Sequence, residues 1–294
     1  MTILKRQASS MGEIFAAIAD IRRTWNPTAS NSEELWFRGQ GQRCYKLEPG
    51  LNRSSIERFE YEEYSLMTTF KNWGASFAPR GIVSTWDWYF LAQHYRLPTR
   101  LLDWTESLLA GVYFALEGRI SQFSREDLDQ LRAQPAGPPQ YDDNSPTIWI
   151  LDAGSLNNWA VGLDLTLTID NEIVQPYCWD VFEKSDNMVS NPSEKPIAII
   201  PPHQNPRIVA QRGMFTLHGT RNTPIDDLAL NEDTAGLIQL GCIQLDHNNI
   251  AQLWNEVELA GTDRMSLFPD LDSVAEQVKW VYQSYTPREK LRED

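Results

Sequence analysis

The segment Trp36-Phe37-Arg38-Gly39-Gln40 sets an arginine between aromatic residues and a glycine at the end of a short apolar run. An arginine so placed can present a planar fork of five N–H donors to a phosphate or a ribose, and the glycine can let a ligand approach the backbone. The competing reading is a structural ion pair with a carboxylate. A denser cluster follows in QHYRLPTRLLDWT, where the Pro98 turn holds His94, Arg96 and Arg100 near Asp103 and Thr105. These residues stand directly ahead of a helix whose N-terminal amides favour anions. Asp103 or Thr105 can equally cap that helix, and Arg100 can pair with Asp103. In a third segment, PPHQNPRIVAQRGMFTLHG, strand alternation would send Arg207, Val209 and Gln211 to one face, with His203 and His218 flanking them. A lone histidine is more often a satisfied structural residue than a base.

Other chemistries lack their residues. There is no GxxxxGK[ST] phosphate loop, no GxSxG elbow and no HExxH motif. Cys44, Cys178 and Cys242 are too far apart to suggest a zinc site or a disulfide framework, so no metal is expected and the reducing cytoplasm fits best. A formal charge of −14 argues against broad electrostatic binding to nucleic acid but leaves room for a local basic cleft. The first twenty residues lack a secretory pattern, and no stretch approaches the roughly 18 apolar residues needed to span a bilayer.

The elements that must position these groups follow from periodicity. Ile14, Phe15, Ile18 and Ile21 predict a helix from Ser10 to about Thr24, behind a Ser10 and Glu13 capping signal. NPTASNSEE reads as a loop and LWFRG as a strand. Helices are predicted from Ser55 to about Trp73 and from Asp87 to Gln93, and SLLAGVYFALEGRI reads as a buried helix opening near Thr105 or Glu106. Residues 121–146, polar and proline-rich, predict an exposed insertion. Beyond it TIWILDAGSL, residues 195–201, PRIVAQRGMFTLHG and GLIQLGCIQL read as strands. Two helical runs close the chain, the second capped by Asp272 or Ser273, and the acidic runs 60–63 and 226–233 read as solvated faces. Helices first and then non-alternating strands predict a single α+β domain over residues 1–294, its mainly antiparallel or mixed sheet flanked by helices.

Taken in order, WFRGQ, QHYRLPTRLLDWTESLLAGVYFAL, PPHQNPRIVAQRGMFTLHG and SLFPDLDSVA resemble the FRG-domain family of bacterial and phage-encoded proteins. That resemblance by itself implies no reaction. A second one, to ADP-ribosyltransferases of the arginine-containing class, rests on Arg38, on Asp103-Trp104-Thr105 ahead of LLAGVYFA, and on Gln211. It implies NAD as substrate, with Arg38, Thr105 and Gln211 as the catalytic set. Arg38 would grip the ribose or pyrophosphate, with Gly39, His94, Arg100 and Asp103 beside it. Thr105 would position the nicotinamide, Trp104 would stack on it, and Gln211 would orient the acceptor or a ribose hydroxyl. A glutamate is expected where Gln211 stands, and a neutral amide stabilises a cation-like transition state less well. The implied protein is a toxin or defence enzyme acting on a protein or nucleic acid, with an antitoxin or defence partner. Two alternatives stay open: a non-enzymatic nucleotide- or protein-binding module using the same cleft, and a metal-independent nuclease using His94 and Arg100.

Overall fold

Exposure alternates along Leu4–Ala8, and that segment forms an edge strand, β1, which periodicity did not single out. The computed structural model describes residues 3–25, 34–53, 62–134, 137–182, 194–203 and 205–283. After β1 come α1 (Met11–Trp25), β2 (Leu35–Gln40), α2 (Gly50–Arg53), α3 (Glu62–Gly74), α4 (Thr85–His94), β3 (Leu101–Thr105), α5 (Leu108–Ile120) and α6 (Arg125–Ala133). Next are β4 (Thr147–Asp152), α7 (Ala153–Val161), β5 (Leu167–Thr168), α8 (Trp179–Phe182), β6 (Ile197–Ile200), α9 (Pro206–Ala210) and β7 (Gly213–Leu217). The chain continues through α10 (Ile225–Leu230), β8 (Leu240–Leu245), α11 (Ile250–Leu259), α12 (Arg264–Leu267) and α13 (Leu271–Gln283).

The strands form one mixed sheet in the order β1-β8-β4-β2-β3-β7-β6-β5, parallel at its two outer pairs and antiparallel elsewhere. The fold is α+β, as the element order implies. Directly paired residues point to the same face and successive residues to opposite faces. Phe37 pairs with both Ile150 and Thr105, and Leu101 pairs with Leu217, so these residues share one face. On it, Phe37, Ile148 and Ile150 pack with residues of α1, α5 and α11, while Leu101, Phe215 and Leu217 pack with residues of α3 and α4. The opposite face buries Trp36, Leu102, Trp104, Trp149 and Met214. One sheet face thus carries two separate helical layers, and a seam runs between α4 and α5.

Several boundaries differ from the sequence expectation, each for a local reason. Residues 101–105 pair in register with β7, so the following helix opens only at Leu108, with Ser107 as its cap. Neither Asp103 nor Thr105 caps it. Within 121–146, a Ser124 and Asp127 capping box starts α6, whose Leu128 is buried and whose Arg132 reaches Glu258 of α11. PRIVAQ is helical rather than extended, because Asn205 caps the Arg207 amide and Pro206 fits the first turn, so the strand begins at Gly213. Asp270, not Asp272 or Ser273, caps α13 by accepting from the Ser273 amide at 2.7 Å. Asp226 belongs to no solvated face, since it is buried against the Leu47 amide and Lys46. The loop expected over NPTASNSEE lies, apart from Glu34, outside the described residues, as does the first part of the helix expected from Ser55.

Candidate functional site

β2 pairs with β4 along its whole length but meets β3 only where Phe37 faces Thr105. Past that bridge the two strands part, and a cleft of about 500 Å³ opens at the seam. Asp103, Thr105 and Phe215 lie on its sheet side, Phe90, Gln93 and His94 come from α4, and Phe114 comes from α5. Four arginines line it, namely Arg38, Arg53, Arg96 and Arg207, against a single carboxylate, Asp103, among the described residues. In a chain of net charge −14 this is a local reversal of sign, and such a cleft concentrates anionic ligands.

Arg38 donates through Nη1 to the Asp103 carbonyl at 2.6 Å. Its Nε is buried and has no partner among the described residues. Lost hydration pushes the guanidinium pKa down to about 10; the Asp103 charge opposes this and the Arg53 charge adds to it. An anion in the cleft would restore part of that lost solvation. Arg207 lies 4.5 Å above the Phe268 ring, and burial lowers its pKa as well. His94 is held below the ordinary histidine range by burial and by the Arg207 charge, which favours the neutral ring at pH 7. Arg96, two residues past the end of α4, has φ 61, a left-handed conformation that the position after a helix C-cap usually gives to glycine. Strain of that kind, on the order of 1–3 kcal/mol, concentrates at ligand clamps.

The match to known proteins falls on this segment: residues 33–123 match the FRG-domain family model. The chain carries an FRG domain. No curated protein and no solved structure matches the chain. The FRG domain spans β2 to α5 and contributes Arg38, Gln93, His94, Arg96, Asp103 and Thr105 to the cleft, whereas Arg207 and Gln211 come from beyond it.

Of the residues singled out from sequence, Arg38, Gly39, His94, Asp103, Thr105 and Gln211 gather at the cleft. Arg100 does not. It is buried in the core, its Nε 2.6 Å from Glu63 and its two Nη groups donating to the carbonyls of His218 and Tyr177. Trp104 borders the cleft, but its indole donates to Thr216 at 3.1 Å and packs in the core of the opposite face, so the ring is not presented for stacking. Phe37, Phe90, Phe114 and Phe215 line the cleft instead, and nothing in their spacing separated them from ordinary core residues. Gly39 serves packing, since a Cβ there would lie 2.0 Å from the Gly111 carbonyl oxygen of α5. Thr105 and Gln211 do meet, but not on facing strands. Gln211 ends α9, and its carbonyl accepts the Thr105 hydroxyl at 2.6 Å, while that hydroxyl also accepts from the Ser107 amide. The Gln211 amide donates to Leu267 at 3.1 Å.

His203 is exposed and does not line the cleft. His218 is fully buried, and neither ring nitrogen has a partner among the described residues. Burial and the neighbouring Arg100 charge push its pKa down to about 3. A base depressed in the folded state binds fewer protons there than in the unfolded chain, so stability falls as pH drops from about 6.5 toward 3. Between pH 6 and pH 4 the loss from this group is about 2.5 kcal/mol. His218→Leu is expected to remove that part of the acid sensitivity, read as a smaller shift in urea midpoint between the two pH values. Equal shifts in parent and variant would show that His218 is protonated in the folded protein.

Proposed function

We propose that the cleft binds NAD and that the protein is a cytoplasmic ADP-ribosyltransferase-like enzyme modifying a protein or nucleic acid, as a toxin or defence protein with an antitoxin or defence partner. The observation that carries this reading is the convergence of four arginines and four phenylalanines on one cleft at the parting of β2 and β3. A dinucleotide needs both: paired cations for its diphosphate and flat apolar walls for its rings. Arg38 is central, because its fork matches a diphosphate or ribose edge and its own donors are incompletely satisfied. No described helix is long and apolar enough to cross a membrane.

Calorimetric titration with NAD tests the binding. Arg38→Ala is expected to weaken it at least about 30-fold, near 2 kcal/mol, the usual loss for a hydrogen bond to a charged group. Arg38→Lys should recover little, since an ammonium cannot reproduce the fork. Affinity within threefold of the parent in Arg38→Ala would sink the proposal.

A second reading, a non-enzymatic nucleotide-binding module, is favoured by the engagement of the Thr105 hydroxyl and the Gln211 amide in internal hydrogen bonds. Release of labelled nicotinamide separates the two. The nuclease alternative loses one of its two groups, because Arg100 is committed to the core.

A further inference from the structure

Breaking the bond between nicotinamide and ribose leaves a cation-like ribose carbon, and an enzyme lowers that barrier by holding negative charge beside the carbon beforehand. Resting on the NAD reading above, we propose that Asp103 is the catalytic carboxylate of the transfer and that Gln93 and Thr99 are its positioning residues. Asp103 is the one carboxylate among the described residues lining the cleft, and its side chain is exposed to an incoming ligand. Gln211, the residue aligned with this role by resemblance, is neutral and already bonded to Leu267.

The orientation of Asp103 follows from a chain of hydrogen bonds that has one consistent direction. The Leu101 amide donates to the Thr99 hydroxyl oxygen at 3.1 Å, so the hydroxyl proton is free to be donated elsewhere. It goes to Gln93 Oε1 at 2.6 Å. That identifies the other end of the Gln93 side chain as its NH2, which donates to Asp103 Oδ2 at 2.9 Å. One carboxylate oxygen is thereby fixed, and Oδ1 accepts no hydrogen bond among the described residues. Thr99 is fully buried, which anchors the chain in the core, and Arg38 and Arg207 both sense the Asp103 charge. The motif QHYRLPTRLLDWT thus contains a relay, Thr99 to Gln93 to Asp103, that fixes one carboxylate oxygen and leaves the other open.

In the proposed step the bond from ribose C1′ to the nicotinamide nitrogen breaks, and its electron pair leaves with nicotinamide. The acceptor attacks C1′ and gives its proton to Asp103 Oδ1, which passes it to solvent. The balance is NAD⁺ plus acceptor-H giving ADP-ribosyl acceptor, nicotinamide and H⁺.

Labelled NAD alone, with water as acceptor and the full chain as enzyme, provides the test. Asp103→Asn keeps the shape and the acceptor for Gln93. It is expected to lower kcat for nicotinamide release about 100-fold while NAD affinity stays within threefold or tightens. Gln93→Leu should lower kcat about tenfold with KM nearly unchanged, and should add nothing to Asp103→Asn. Additive losses would make Gln93 merely structural and overturn its positioning role. A kcat loss below tenfold in Asp103→Asn, or loss of NAD binding together with turnover, overturns the assignment of Asp103. A parent chain that binds NAD without releasing nicotinamide overturns the transfer reading and this assignment with it, whereas release that survives Asp103→Asn overturns the assignment alone.

Discussion

Gly39→Ala is expected to cost at least about 3 kcal/mol and to leave little folded protein, because the added methyl group has no room beside α5. The added Cβ would lie 2.0 Å from the Gly111 carbonyl oxygen, 2.4 Å from the Ala115 nitrogen and 2.9 Å from the Phe114 carbonyl carbon. All three are backbone atoms of α5, so no side-chain rotation can relieve the overlap. Either the helix moves off β2 or the strand bends, and both motions open the core where Phe37 packs. From the other side, a Cβ at Gly111 would meet Phe37 Cβ at 3.0 Å, so the two glycines together set how closely helix and strand cross. Gly118, farther along α5, has nothing within 4 Å of its missing Cβ. Gly118→Ala should therefore stabilise by about 1 kcal/mol from helix propensity and serves as the control. Guanidinium unfolding of the three proteins checks the order. Parental stability in Gly39→Ala combined with lost NAD binding would return this glycine to the ligand.

The α+β class was legible because apolar periodicity marked α1, α4 and α5 and the apolar runs marked β2, β4, β6 and β8. The candidate site was legible as a grouping of residues, since Arg38, His94, Asp103, Thr105 and Gln211 share one cleft. The division of labour inside the motifs was not. Whether Arg100 or Arg96 faces the cleft depends on the parity of β3 and on the left-handed turn at Arg96, and neither is visible in the types of the residues. Trp104 and Asp103, adjacent in sequence, are sent to opposite faces for the same reason. Gln211 read as a strand residue because its apolar neighbours Ile208 and Val209 suit either state, and the Asn205 and Pro206 helix start decided it. The Gln93 to Thr99 link could not be anticipated at all, because it depends on the turn that brings the end of α4 back to the start of β3.

Arg100→Met should produce the other large loss, about 3–5 kcal/mol, with no change in NAD affinity for the protein that remains folded. The guanidinium holds Glu63 at 2.6 Å, fills the carbonyls of His218 and Tyr177 at 2.7 and 2.5 Å, and has almost no exposure of its own. Glu63 is also buried, and its remaining partner among the described residues is the Tyr89 hydroxyl, which accepts in turn from the Arg100 amide. Removing the cation therefore strands a buried carboxylate and two carbonyls at once, and the uncompensated charge dominates the cost. The double variant Glu63→Leu with Arg100→Met removes the stranded charge as well, so it should be more stable than Arg100→Met alone. Urea midpoints of the single and double variants, with calorimetry on the folded fraction, separate the two possible roles of this arginine. A core role requires that stability fall and recover while affinity stays constant. A ligand role requires the reverse, and Arg38→Ala, which removes a guanidinium from the cleft itself, supplies the pattern that a true ligand arginine would give.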